Sequence, residues 1–245
     1  MTFPQYTDVC PEGVFEKKFK MSALCGKVRP GDLAREMEKI TEEHLGVYGM
    51  SRGELKAENK IWVIGWTAIH INRLPEQGEQ VILRIWPGKM KAVMHTRRYA
   101  FYSFDGEPLA CAASLFLLMD SETRGVAEPT EKLQAVPVVV IPDEPKLPKM
   151  TVPFPEELSQ QVVRTVAAEE IDLNGHLNNT HYLDWACALA EPDRAPQFVW
   201  VQYAKELMEG QNVVLNYEKQ DDSLYLTGLA EGEESFKLLM SYSAN

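Results

Sequence analysis

The densest run of chemistry-bearing side chains in this sequence is Asp172-Leu-Asn174-Gly175-His176-Leu-Asn178-Asn179-Thr-His181-Tyr182-Leu-Asp184-Trp185. If Asp172 to His176 is extended, strand alternation puts the side chains of Asp172, Asn174 and His176 on one face. Gly175 gives the backbone freedom for a bend before a helix. Asn178 or Asn179 can cap that helix, whose free amides make a partly positive end. An acid, a carboxamide and an imidazole beside a donor-rich helix start suit hydrolysis of an acyl bond. They offer a base for water, an orienting amide and donors for a developing oxyanion. The same residue types are common in turns and caps, so spacing alone also allows a plain strand-to-helix connection.

Other candidates carry less. His181 and Tyr182 sit at the predicted helix start, where they can line a pocket, although a solvated helix position suits His181 as well. His70 alternates with Ile69 and Ile71 in a strand pattern and is expected to face outward or to be hydrogen-bonded. His44 closes a predicted helix, where a cation favours the dipole. There is no Gly-rich phosphate loop, GxSxG elbow or HExxH, so nucleotide, serine-hydrolase and zinc-protease chemistry find no support. No motif implies a cofactor or a metal.

The elements that must position these residues fall into two similar halves. Seven of the 15 prolines lie between Pro129 and Pro155. Proline lacks the amide donor and fixes φ, so this stretch is expected to hold neither helix nor interior strand and to run as a semi-extended surface linker. It divides the chain into units 1–128 and 156–245, joined by linker 129–155. In the first unit a strand is expected at Val14–Lys20, and a helix from an N-cap at Asp32 to about Leu45, ended by Gly46. Leu33, Met37 and Ile40 form its apolar stripe. Long β-like runs follow at Ile61–Asn72, Gln80–Trp86, Ala92–Phe104 and Glu107–Met119, the last two joined by a two-residue Asp105-Gly106 turn. The second unit repeats the order, with a strand at Gln161–Ala167 and a helix near Asn179–Ala190. Its β-like runs are Phe198–Glu206, Asn212–Lys219, Ser223–Ala230 and Glu234–Ser243. Leu74–Leu83 (LPEQGEQVIL) resembles Leu207–Leu215 (LMEGQNVVL) at the same stage of each unit. One helix and several long strands per unit give an α+β fold, each antiparallel sheet wrapped around one helix, the two sheets pairing edge to edge.

Composition bounds the function class. Of 245 residues, 25 are Lys or Arg and 36 Asp or Glu, a net charge of −11. That balance argues against nonspecific binding to nucleic acid or an anionic membrane, both of which need a basic surface. The four cysteines (Cys10, Cys25, Cys111, Cys187) are scattered, which suits a reducing cytosol and argues against a zinc cluster. Met1–Cys10 has neither the basic nor the apolar region of a secretory signal. The longest mostly apolar run, Leu109–Met119, has 11 residues, too short for a bilayer span. A cytoplasmic globular protein is expected.

The Asp172–Trp185 pattern, Asp-x-Asn-x-His-x-Asn-Asn-x-x-Tyr-x-x-Trp, resembles the signature of the bacterial and plant-plastid acyl-ACP thioesterases, a double hotdog family. Ile61-Trp-Val-Ile with Asn72-Arg73 and Gly78, Ala113–Arg124, and Tyr203-Ala-Lys-Glu206 are similar to further family segments, covering about residues 10 to 220. The resemblance implies Asp172, Asn174, His176 and Glu206 as the catalytic set. Glu206 or Asp172 would activate water, His176 would orient or share the proton, and Asn174 would position water or carbonyl. Without the resemblance Glu206 reads as a surface residue at a strand end. Plant members carry a cysteine directly after that glutamate; here the position is Leu207, so a thiolate there is excluded and no cysteine is expected to be needed.

The implied reaction is hydrolysis of fatty acyl-ACP to free fatty acid and ACP, with no cofactor and with acyl carrier protein as partner. A hotdog thioesterase acting on acyl-CoA, or a noncatalytic acyl-chain binder, is the alternative. The acyl tunnel is expected in the first unit near Leu33–Leu45. An acidic carrier needs a local basic patch, and Lys17, Lys18 and Lys20, or Lys89, Lys91, Arg97 and Arg98, are the candidates. Pairing into a homodimer is left open.

Overall fold

Strand alternation builds a sheet whose central strands are buried on both faces. The computed structural model describes residues 3–91, 93–141, 152–191 and 194–243, side chains of 89–91 excepted. Its strands are β1 (Phe15–Lys20), β2 (Lys60–Ile71), β3 (Gln80–Lys91), β4 (Met94–Ser103) and β5 (Pro108–Asp120), then β6 (Gln160–Thr165), β7 (Phe198–Tyr203), β8 (Asn212–Gln220), β9 (Ser223–Ala230) and β10 (Glu233–Ser241). The helices are α1 (Pro30–Val47), α2 (Arg52–Ala57), α3 (Glu131–Gln134) and α4 (His181–Leu189). Across the sheet the order is β1-β3-β4-β5-β2-β7-β10-β9-β8-β6, which reads the same from either edge once β6–β10 are matched to β1–β5. The edge-to-edge join falls between β2 and β7, where Trp66 faces Gln202 and His70 faces Phe198 in an antiparallel ladder.

The weak internal repeat has a structural counterpart. Met21, just past β1, donates its N–H to Glu79 O and accepts from Gly78 N. Val166, just past β6, makes the same pair of bonds with Gln211 O and Gly210 N. Gly78 and Gly210 both have φ near +80° (82° and 76°), the left-handed turn that glycine adopts without steric cost.

One face of the sheet carries α1 and α4. Leu33, Met37 and Ile40 of α1 and Tyr182, Trp185 and Ala186 of α4 share a core with Ile69, Phe101, Val201 and Leu238 from the strands. The opposite face is covered by the proline-rich segment. Val139 and Ile141 pack on Ile82, Trp86, Ala100 and Tyr102, and Val152 and Phe154 pack over Trp66, Trp200 and Leu239. Residues 142–151 of the predicted linker lie outside the described residues. No helix among the described residues is long and apolar enough to cross a membrane.

Several sequence expectations need correction. The proline-rich stretch does hold a helix, the single turn α3, because Thr130–Val136 is free of proline and Thr130 Oγ1 accepts Leu133 N–H at 3.2 Å. Asp32 is not the N-cap of α1 but lies one turn's start inside it, accepting Arg29 N–H (2.9 Å) and Leu24 N–H (3.0 Å). Pro30 opens the helix, where its missing donor costs nothing, and α1 continues past Gly46 to Val47. The β4–β5 hairpin is a three-residue loop: Ser103 N–H bonds Glu107 O, and Gly106 closes it at φ 87°.

Candidate active site

Asp172–His176 is a tight loop and not an extended strand. Asp172 N–H donates to His176 O (2.8 Å) and Gly175 N–H to Asp172 O (3.1 Å), while Ile171 and Leu177 form an isolated bridge beneath. Gly175 sits at φ 86°, with open space where a Cβ would stand, so the backbone angle and not crowding selects glycine. The shared-face argument therefore fails, yet Asp172 gathers the loop onto itself, binding the Asn174 side chain and the backbone amides of Asn174 and His176. Its Oδ1 accepts Asn174 N–H (2.7 Å) and His176 N–H (3.3 Å), and its Oδ2 accepts Asn174 Nδ2 (3.0 Å).

Glu206 is brought to this loop by the backbone. Leu177 N–H donates to Leu207 O at 2.7 Å, which aligns the preceding residues, His176 and Glu206, side by side. His176 Nε2 stands 3.3 Å from Glu206 Oε2, and Glu206 keeps 40% of its side chain exposed, so water reaches it. The other carboxylate oxygen, Oε1, is held by Arg124, a residue the sequence reading did not assign to the site. Arg124 comes from the turn after β5, in the first unit, and adopts φ 59° there. Asp120 builds that turn by accepting the N–H groups of Glu122 (3.0 Å) and Thr123 (2.7 Å).

Behind the loop, the start of α4 is fixed rather than open. Thr180, not Asn178 or Asn179, is its N-cap residue. Asn178 Oδ1 accepts Thr180 N–H (2.9 Å), Asn178 N–H donates to Glu170 O (2.9 Å), and Asn178 Nδ2 donates to Glu38 Oε2 on α1 (3.0 Å). His181, Leu183 and Asp184 already spend their amides on Asn178 O and Thr180 O, so those three are not available to an oxyanion. The remaining aromatic residues of the motif act as scaffold. Trp185 Nε1 donates to Glu170 Oε1 (2.8 Å), which also receives Arg164, and Tyr182 packs edge-on against Phe236 at 4.7 Å. Burial alone would raise Glu170's pKa, but these bonds outweigh it and hold it lowered. Tyr203 O–H donates to Asn179 O at 3.1 Å.

Comparison with known families decides the family of the chain. Residues 12–136 match the acyl-ACP thioesterase N-terminal domain and residues 156–242 the C-terminal domain. The chain belongs to the acyl-ACP thioesterase family. It is 24% identical over 199 residues to a chloroplastic palmitoyl-acyl carrier protein thioesterase of Cuphea hookeriana, covering 74% of this chain and 48% of that protein. The chain spans about half the length of the curated relatives it matches. An acyl-ACP thioesterase structure from Bacteroides thetaiotaomicron has a TM-score of 0.81 at 17% identity, covering 94% of this chain and 98% of that one. A 12:0-ACP thioesterase structure from Umbellularia californica has a TM-score of 0.79 at 18% identity, covering 97% and 100%. The fold is the double hotdog of these structures.

Within this family frame the weaker candidates resolve. Leu207, at the plant cysteine's position, is 1% exposed and belongs to the core. Cys187 is half-buried, and burial pushes its thiol up to about 12, which keeps it protonated and unreactive. His181 is not a solvated helix residue: it is partly buried, with Nδ1 3.0 Å from Asp184, which Arg35 of α1 also holds. His44 is 2% exposed and accepts Arg97 NH1 on Nδ1 at 2.8 Å; burial and Arg97 lower its pKa to about 4. It is therefore neutral, and the expected cation–dipole contact does not exist. His70 faces Phe198 at 4.6 Å, with Nδ1 buried and without a bond. The second basic cluster loses Arg97, which is 4% exposed, and the side chains of Lys89 and Lys91 lie outside the described residues. Lys17 is engaged by Glu43, and Lys18 stands 3.7 Å from Glu16. Among the described residues no group of three or more His, Cys, Asp or Glu is placed to hold a metal.

Proposed function

We propose that this chain hydrolyses the thioester of fatty acyl-ACP to free fatty acid and ACP, with water activated by Glu206. The observation that carries this reading is the His176–Glu206 pair at 3.3 Å, set on the family's double hotdog fold. Glu206 takes a proton from water as the water oxygen attacks the thioester carbonyl carbon. The tetrahedral intermediate then expels the carrier's sulfur, which leaves with the proton. His176 shares that proton through Nε2, and Asn174 positions water or carbonyl. Asp172 is assigned to the loop and not to water, because its oxygens are occupied by Asn174 and His176. No cofactor enters. With the chain divided into units 1–128 and 156–245 around linker 129–155, we assign the acyl chain to the first unit along α1 and the chemistry to the second. The free cysteines favour a cytoplasmic enzyme.

The test is kcat/KM on acyl-ACPs and acyl-CoAs of graded chain length, with folded His176→Ala and Asn174→Ala variants beside the parent. Both variants should lose kcat far more than they raise KM, because these groups act on the reacting atoms and not on the chain. A clear preference for acyl-CoA would move the substrate to coenzyme A thioesters. Tight acyl binding without turnover would make the protein a binder.

A further inference from the structure

Asn178 is the joint between the catalytic loop and α4, since it bonds Glu170 on one side and Thr180 on the other. Its third anchor, the Nδ2 bond to Glu38 Oε2 at 3.0 Å, reaches 140 residues back along the chain to α1. We propose that Glu38, a residue of the first unit, is a positioning residue of the hydrolytic site, holding Asn178 and through it the loop that carries His176. This inference rests on the hydrolase reading above and deepens it.

The surroundings suit an uncharged acid. Burial first, then the Asp172 carboxylate, push the Glu38 pKa up, against the Asn178 bond and the charges of Arg52 and Arg35. The phenols of Tyr203 on β7 and Tyr99 on β4 also face it. Both are held protonated by burial, Tyr99 with its pKa up at about 12. The protonated form of Glu38, which its raised pKa favours, keeps an oxygen to accept Asn178 Nδ2 and adds no second negative charge beside Asp172. Glutamine reproduces that acceptor and that neutrality, whereas alanine removes the anchor.

The experiment measures kcat and KM on acyl-ACP for Glu38→Gln, Glu38→Ala, Asn178→Ala and the Glu38→Ala/Asn178→Ala double variant, with His176→Ala as reference. Glu38→Ala should lower kcat by on the order of 10², the cost of misplacing a reacting group by about 1 Å, with KM nearly unchanged. Glu38→Gln should restore most of kcat, and the double variant should be no worse than Asn178→Ala alone. A second readout is thermal stability. A raised carboxyl pKa costs the folded state progressively as pH rises above the ordinary carboxylate range, so the Tm of Glu38→Gln should gain on the parent as pH rises above that range. A Glu38→Ala enzyme with full kcat, a Glu38→Gln as impaired as Glu38→Ala, or additive losses in the double variant would overturn the role of Glu38. Undiminished turnover by His176→Ala would instead remove His176 from the site, and this proposal with it, whereas acyl binding without turnover by the parent protein would overturn the hydrolytic reading.

Discussion

Asp172 and Glu206 carry the same functional group, and their surroundings differ. Asp172 spends its oxygens on two backbone amides and the Asn174 carboxamide. Glu206 keeps one oxygen on Arg124 and presents the other to His176 and solvent. Glu206→Gln should therefore lower kcat by on the order of 10² to 10⁴, the usual general-base contribution, without loosening the loop. Asp172→Asn should speed hydrogen exchange at the Asn174 and His176 amides, and lose rate only as the loop loosens. If Asp172→Asn is the more damaging to kcat while exchange stays slow, the base is Asp172. At this scale the sequence showed the cluster of polar side chains at Asp172–His176 but not its geometry, because strand alternation was assumed where Gly175 at φ 86° makes a tight loop. Arg124 and Glu38 were not legible, because a lone Arg in a turn and a Glu on an amphipathic helix look like ordinary solvated positions. The β2–β7 join and the packing of α1 against α4 bring them to the second unit's loop. The signals that were present, the Ala113–Arg124 segment and Asn178 within the motif, do not name the partners they reach.

The elements were legible wherever one face of a strand or helix differs from the other, as in the Leu33, Met37, Ile40 stripe. They blurred where both faces are buried. Leu109–Met119 reads as a continuous apolar run because alternate residues of β5 enter the α1 core and the cluster under Phe154. Turn chemistry was seen at Asp105-Gly106, but loop length depends on the register of the strands it joins. Glycine roles likewise need the folded neighbour. Gly228 of β9 lies under the Phe236 ring of β10, and a Cβ there would meet ring atoms at 2.0 to 2.8 Å. Gly228→Ala should therefore cost about 1–3 kcal/mol through overpacking, lowering Tm by roughly 2–4 °C per kcal/mol in a chain of this size. Gly175→Ala meets no such crowding but must hold φ 86°, so its effect should fall on kcat more than on Tm. Equal thermal losses in the two variants would refute this assignment.

The two units are joined through one sheet and through the packing of α1 against α4, and their charges are unevenly shared. His44, His70 and His95, all in the first unit, have pKa values lowered to about 4, with burial the main cause. The unfolded chain binds protons near 6.5 that the folded chain refuses, so stability is full above that value and falls as pH drops from 6.5 towards 4. His44→Gln keeps an acceptor for Arg97, so the parent's Tm advantage over it should shrink across that window; a pH-independent gap would remove His44 from the account. The mirror-ordered sheet makes a stronger claim. The second unit holds Asp172, Asn174, His176 and Glu206, yet Arg124 and Glu38 come from the first, and β7 pairs only through β2 on that side. An isolated second unit would expose the β7 edge and the apolar face of α4, and would leave Glu206 and Asn178 without their anchors. Expressed alone, residues 156–245 should therefore show no thioester hydrolysis. Mixed with residues 1–155, they should recover turnover in proportion to complex formed, and the recovery should vanish when the first fragment carries both Arg124→Ala and Glu38→Ala. A soluble second fragment that hydrolyses acyl-ACP unaided would show that the site is complete within one unit.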